Sequence, residues 1–360
     1  MEAKEKIYQL FSEVVRRKAS DLHLIAGLSP HVRVEGKLIS LPQQPSLTGE
    51  DIKNVIFSIA TQEQREIIIT NKELDFSYDF GEAGRFRINA YYQKESLAAA
   101  FRLVPKEIKS IDDLNLPKIC HEFAALKQGF VLVTGPTGHG KSTTIASILS
   151  EINKTRSCHL ITIEDPIEFT FSSDKAIISQ REMNRDTHSW KMALRSALRE
   201  DPDVVFVGEM RDLETIGAAL TVAETGHLVF STLHTNSAAQ TIDRIVDIFP
   251  QGSREQIRMQ FSNVFAGVIS QRLIPGLNGS RLPAVEIMLA SNAVKTSIRE
   301  GKTHMIDNII QTSGQIGMIS LETSLANLVS EGRISFEVAQ EYALRPQEVS
   351  RLVGRTRKTS

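Results

Sequence analysis

Cysteine is scarce: two in 360 residues, Cys120 and Cys158, far apart in the chain. That spacing excludes a disulfide framework and any paired-cysteine metal site. Both are expected as buried small apolar side chains in a reducing compartment. Net charge is also nearly absent, at −1, which argues against a protein built around a nucleic-acid footprint, so no direct nucleic-acid partner is expected. Basic residues gather only near the end, at Arg351, Arg355, Arg357 and Lys358, and read as a solvated tail. No apolar run approaches the roughly 20 residues of a membrane span. The start, Met1-Glu2-Ala3-Lys4-Glu5-Lys6, lacks the apolar stretch of a signal peptide. A cytoplasmic protein is expected, one able to dock on a membrane complex. Low-complexity segments and internal repeats are missing too. Apolar residues (41%) and charged residues (24%) instead suit packed soluble domains, two or three by length.

Two patterns divide the chain. Over residues 1–108, Ile7, Leu10, Phe11, Val14 and Val15 recur at helical spacing. His31–Val34, Asp75–Phe80 and Arg85–Tyr91 alternate, as half-buried antiparallel strands do, with Gly81 and Gly84 where a hairpin would turn. Thr48 and Asp51 form a capping box ahead of a helix carrying Ile52, Val55, Ile56 and Ile59. This is a small α+β domain. Residues 109–117, polar and ending in Pro117, read as a linker. From 118 to 360 short apolar runs alternate with helical stretches: Phe130–Thr134, Leu160–Ile163, Val204–Val207, Leu228–Leu233 and a further candidate at Val285–Leu289. Runs apolar on both faces suit a mostly parallel sheet covered on both sides, an α/β fold. Helices take over from about 290, with Leu321, Leu325 and Leu328 on one face.

One of these strands leads into Gly135-Pro136-Thr137-Gly138-His139-Gly140-Lys141-Ser142-Thr143, which matches a phosphate-binding loop at every fixed position. A helix through Ile145, Ile148, Leu149 and Ile152 follows. Glycines let backbone N–H groups wrap phosphate, and the helix start adds its positive dipole end. Lys141 is expected to reach the β- and γ-phosphates of ATP, and Ser142 to hold Mg²⁺. His139 occupies a variable position and reads as tolerated there. Hydrolysis needs more: an oriented water and a completed metal shell. Glu209 ends the run Val204–Gly208, and Glu164 ends Leu160–Ile163, so both carboxylates reach the sheet edge that carries the loop. Either could act on Mg²⁺, with Glu209 the expected ligand, while the other polarises water. His234 closes a third strand and could hydrogen-bond the γ-phosphate.

Taken together, Gly135–Thr143, Ile161–Phe169, Leu198–Asp212 and Glu224–Ala238 resemble the Walker A, Asp box, Walker B and His box of the secretion ATPases. Within that superfamily the chain resembles the type IV pilus retraction ATPases, the PilT family. Ala19-Ser20-Asp21-Leu22-His23-Leu24 and Gly208-Glu209-Met210-Arg211-Asp212 carry that likeness. The resemblance implies a RecA-like core behind a smaller PAS-like N-terminal domain. It implies a homohexamer, and nucleotide held between the domains with Arg87 and Arg102 reaching it. It also implies a motor that drives pilus retraction and twitching motility through an inner-membrane platform protein. Two segments depart from the pattern: Glu95 stands where arginine is usual, and Val294–Ser297 differ from the usual retraction motif. Those departures keep open a weakly hydrolysing accessory subunit beside a paralogous ring, and the superfamily itself leaves an assembly or type II secretion ATPase as a further alternative.

Overall fold

In the computed structural model, residues 2–34, 36–41, 44–81, 84–104 and 107–359 are described. The chain forms two compact units: residues 1–107 with 166–170, and residues 108–165 with 171–360. The segment expected as a linker, 109–117, lies wholly in the second unit, whose core buries Ile111 and Leu116.

The first unit is one antiparallel sheet with helices. In chain order it comprises α1 (Glu2–Arg16), β1 (Asp21–Leu24), β2 (His31–Val34), β3 (Lys37–Ser40), α2 (Gly49–Ile59), α3 (Gln62–Asn71), β4 (Glu73–Asp79), β5 (Arg85–Gln93) and β6 (Ser96–Val104). The strands lie in the order β3-β2-β1-β6-β5-β4. Val32, Leu22, Phe101, Ile88 and Phe76 form one cross-strand row, all buried. Helix α1 turns Ile7, Leu10, Phe11 and Val14 into the same core. Phe11 stacks on Phe86 at 3.8 Å between ring centroids. Such a pair adds about 1 kcal/mol beyond its burial. Phe86→Ala would cost about 3–5 kcal/mol. The capping box at Thr48 and Asp51 is formed.

The second unit has three cores, two of them on opposite faces of a seven-stranded sheet ordered β13-β12-β7-β11-β10-β8-β9 and the third gathering Ile274 and Ala284 with Leu321, Leu325 and Val349. Its elements are α4 (Ile119–Ala125), β7 (Gly129–Thr134), α5 (Lys141–Thr155), β8 (His159–Glu164), β9 (Ile177–Glu182), α6 (Trp190–Ala197), β10 (Val204–Val207), α7 (Leu213–Glu224), β11 (Leu228–Leu233), α8 (Ala238–Asp247), α9 (Arg254–Val264), β12 (Phe265–Pro275), β13 (Arg281–Leu289), α10 (Asn292–Arg299), α11 (Ile306–Thr312), α12 (Leu321–Ser330), α13 (Phe336–Tyr342) and α14 (Pro346–Thr359). Along β7, Phe130 and Leu132 enter one core, while Val131 and Val133 enter the other. The apolar run is continuous because each neighbour serves a different face. The run expected at 285–289 belongs to β13, which begins at Arg281 and pairs antiparallel with β12; the other strand pairs are parallel.

Leu321, Leu325 and Leu328 share a buried face of α12. Cys120 is buried, which pushes its thiol up to about 12, but Cys158 is only half-buried, at the end of the α5–β8 connection. In the basic tail Arg351 is exposed; the side chains of Arg355, Arg357 and Lys358 lie outside the described residues.

Candidate active site

The phosphate loop leaves β7 at Thr134 and enters α5 at Lys141. Its shape depends on how closely β12 approaches. A Cβ on Gly135 would stand 2.2 Å from the Gln271 carbonyl oxygen, and one on Gly140 would stand 2.9 Å from Gln271 Nε2. Both residues also have positive φ, +142° and +82°, so glycine alone fits either position. The Gln271 side chain then fastens the loop from two sides. Its Nε2 donates to the His139 carbonyl at 2.8 Å, and its Oε1 accepts from Thr144 Oγ1 at 2.7 Å. Leu273 N donates to His139 Nδ1 at 3.0 Å. Burial lowers the His139 pKa, aided by Arg272, Lys141 and Arg281. A neutral ring with its lone pair on Nδ1 is what that bond requires. His139 is therefore part of the loop's fastening, beyond the tolerated position expected of it.

Lys141 is buried, and its Nζ donates to the carbonyl oxygens of Gly135 (2.9 Å) and Pro136 (3.0 Å). His234, just past β11, stands beside it. The His234 Nδ1 lies 3.4 Å from Lys141 Nζ and 3.4 Å from Thr137 Oγ1. Its Nε2 lies 3.5 Å from Glu209 Oε2. Since an ammonium can only donate, Nδ1 is the acceptor, and Nε2 carries the proton toward the carboxylate. The other oxygen of Glu209 meets Arg211 Nη2 at 2.6 Å. Lys141, His234, Glu209 and Arg211 thus form a continuous chain of alternating charge and dipole across the sheet edge. Ser142 and Thr143, half-buried, begin α5, where the helix dipole favours an anion.

Glu164 ends β8, next to β10. It is buried, accepting from Thr162 Oγ1 at 2.7 Å and from Gln180 Nε2 at 3.3 Å. Gly208 lets the two strand ends close together: a Cβ there would meet Glu164 Cα and the Ile163 carbonyl oxygen at 3.3 Å. Arg87 and Arg102 belong to the first unit. They are direct cross-strand partners, in a row with Arg33, Asp21 and Ser77 on the sheet face opposite the core. Arg102 Nε bonds Asp21 Oδ1 at 2.9 Å while its side chain stays 69% exposed.

The family model for type II/IV secretion system proteins matches residues 3–341. The chain belongs to that family. Among its relatives, the type IV pilus retractation ATPase PilT of Pseudomonas aeruginosa is 46% identical, over 95% of this chain and 99% of its own length. The twitching motility protein of Neisseria gonorrhoeae is 46% identical, over 91% and 87%. The crystal structure of the pilus retraction motor PilT with bound ADP superposes with a TM-score of 0.89, at 46% identity, over 96% of this chain and 99% of that one. The chain is a nucleotide-binding member of the PilT-type secretion ATPases, and the expected RecA-like core behind a smaller N-terminal unit is the fold it has.

For a secretion ATPase, two features of this site had no sequence signal. Gln271 lies on β12, where Ser270, Gln271 and Arg272 interrupt the apolar run that would have marked a strand. The Arg211 pairing lies within Gly208–Asp212, a run in which the sequence gives Arg211 no separate role. The departure at Glu95 falls in a two-residue turn joining β5 and β6, where Lys94 and Glu95 both have positive φ (45° and 62°). A cavity of about 630 Å³ opens at the opposite edge of the sheet, lined by Phe123, Gly129, Phe265, Leu289 and Lys295 among others; none of its lining residues belongs to the phosphate loop.

Proposed function

We propose that this chain hydrolyses ATP as a homohexameric motor and that the cycle drives retraction of a type IV pilus. The observation that carries the reading is the chain Lys141–His234–Glu209, which sets a cation, a hydrogen-bonding ring and a carboxylate around one phosphate cradle. Lys141 exchanges its bonds to Gly135 and Pro136 for phosphate oxygens. The Thr137 hydroxyl and His234 respond to the γ-phosphate. Ser142 and Glu209 supply hard oxygen donors of the kind Mg²⁺ takes. The ion's contribution is to neutralise charge developing on the β- and γ-phosphates. Glu209 would serve the ion, and Glu164, its orientation fixed by Thr162 and Gln180, would polarise the attacking water. Arg87 and Arg102, in the N-terminal domain that we take as residues 1–108, stabilise the charge of the transferring phosphoryl group. Different affinities for ATP and ADP then drive a rigid-body shift. That motion acts on an inner-membrane platform protein, with the ring peripheral to the membrane on its cytoplasmic side. In keeping with this, no helix among the described residues is long and apolar enough to cross a membrane.

Steady-state phosphate release by the purified protein, with its native mass, tests the reading. Wild type should turn over ATP as a six-subunit particle, and Lys141→Ala and Glu209→Gln should each reduce kcat by about a thousandfold or more. Wild-type rates in both variants would overturn the assignment. In a deletion strain, hyperpiliated cells that do not twitch are expected; bald cells would point to assembly instead.

A further inference from the structure

Glu286 is a buried carboxylate with no part in the phosphate chemistry. It lies on β13, only 2% exposed, in register with Ser270 of β12, which pairs in turn with Thr134 at the root of the phosphate loop. Its Oε1 accepts from Ala238 N at 2.6 Å. Ala238 is the first residue of α8, and its N–H is one of the helix-start donors that have no partner within the helix. Only Thr235, Asn236 and Ser237 separate it from His234. Those residues are tied to the same helix: Thr235 to Thr241 at 2.7 Å, Asn236 N to Gln240 Oε1 at 3.3 Å, and Ser237 as the N-cap. The His234 loop thus moves with the start of α8, and Glu286 fixes the start of α8 to the sheet.

We propose that Glu286 is a positioning residue for His234: its carboxylate, held on β13, anchors α8 and thereby keeps the imidazole between Lys141 and Glu209. The inference rests on the ATPase reading above. The anion does this better than the acid, because a charged acceptor makes the stronger bond and suits the positive end of the helix. Arg272 of β12, Asp307 of α11, Glu322 of α12 and Arg345 between α13 and α14 make up its charged surroundings. Burial is the main cause that pushes Glu286 up to about 7, with Asp307 and Glu322 adding to the rise and Ala238 N and Arg345 opposing it. Protonation near neutrality therefore slackens the anchor. Because the folded value is raised, the carboxyl's contribution to stability is full below its ordinary value and is lost as pH rises through about 7. Stability and His234 placement respond to this group with opposite sign.

The test is kcat against pH, from 6 to 9, for wild type and Glu286→Gln, alongside thermal unfolding. Wild type should gain about tenfold in kcat as pH rises through about 7. Glu286→Gln should lose that step while unfolding no earlier than wild type at pH 8. A step of unchanged size and midpoint in Glu286→Gln would overturn the proposal. Ala238→Pro supplies a second measurement should Glu286→Gln not fold, since proline suits a first helical position and removes only the donor. Its step should be lost as well, and a step of unchanged size and midpoint would again overturn the proposal. Absence of turnover in wild type at every pH would instead refute the ATPase reading itself.

Discussion

The two units use their sheets in opposite ways. In the first, one face is core and the other carries the row Arg33, Asp21, Arg102, Arg87 and Ser77. In the second, both faces are core, so polar chemistry is driven to the strand ends, where Glu164, Glu209 and His234 collect. A one-sided sheet can display a stripe of charge. A two-sided sheet can only present an edge, but that edge comes with helix starts and buried supports. The contrast extends to energetics. Like charges directly opposite each other, as Arg87 and Arg102 are, cost stability. The carboxylates of the second unit are compensated where they stand, Glu209 by Arg211 and Glu164 by Thr162 and Gln180.

The sharpest test of that contrast removes the stripe. Arg102→Ala is expected to lower kcat by about a thousandfold, the usual worth of an arginine acting on a phosphoryl transition state. Arg87→Ala should lower it while raising stability by a few tenths of a kcal/mol, because a like-charge neighbour is gone. Turnover within twofold of wild type in both variants would leave the stripe as surface only. A smaller effect is expected from the opposite side of the comparison. Gly135→Ala drives a methyl against the Gln271 backbone, 2.2 Å away. Strain of about 3 kcal/mol corresponds to roughly a hundredfold loss in nucleotide affinity. Nucleotide titration reads it, and unaltered binding would show that β12 gives way. The smallest effect concerns His121, whose Nδ1 lies 2.7 Å from Glu151 on α5 and whose Nε2 lies 3.3 Å from Asp112. The hydrogen bond to Glu151 raises its pKa, with Asp112 assisting. Its contribution is full below about 6.5 and is lost as pH rises through the higher folded value. The ring is 36% exposed, so solvent screening limits the effect to a few tenths of a kcal/mol. Tm of His121→Ala should fall below wild type at pH 6 and match it at pH 9; a constant difference would remove the pair from the account.

Legibility in the sequence followed the same division. Continuous apolar runs marked β7, β8, β10 and β11 because both faces are buried, and the phosphate loop was readable because phosphate leaves little freedom at its fixed positions. The edge strand β9 and the interior strand β12 were not. In β9, Ile177–Glu182, only Glu182 is buried, so its composition resembles a loop. β12 mixes Ser270, Gln271 and Arg272 into its middle, and its partnership with both β7 and β13 depends on contacts far apart in sequence. In the first unit β6 went unseen: Ala98, Ala99 and Ala100 suppress the alternation that marked β4 and β5. At the site, residue types at strand ends pointed to Glu164, Glu209 and His234. Gln271, which fastens the phosphate loop, acts across a separation that no local spacing encodes, and Arg211, two residues from Glu209, has no signal apart from that carboxylate.

The tether from Gln271 has a consequence for how the protein is made. It joins residues separated by 127 positions to Thr144 and by 132 to His139. At about 5–20 residues per second, synthesis of that interval occupies on the order of ten seconds. Throughout it, the nascent phosphate loop lacks the strand that shapes it.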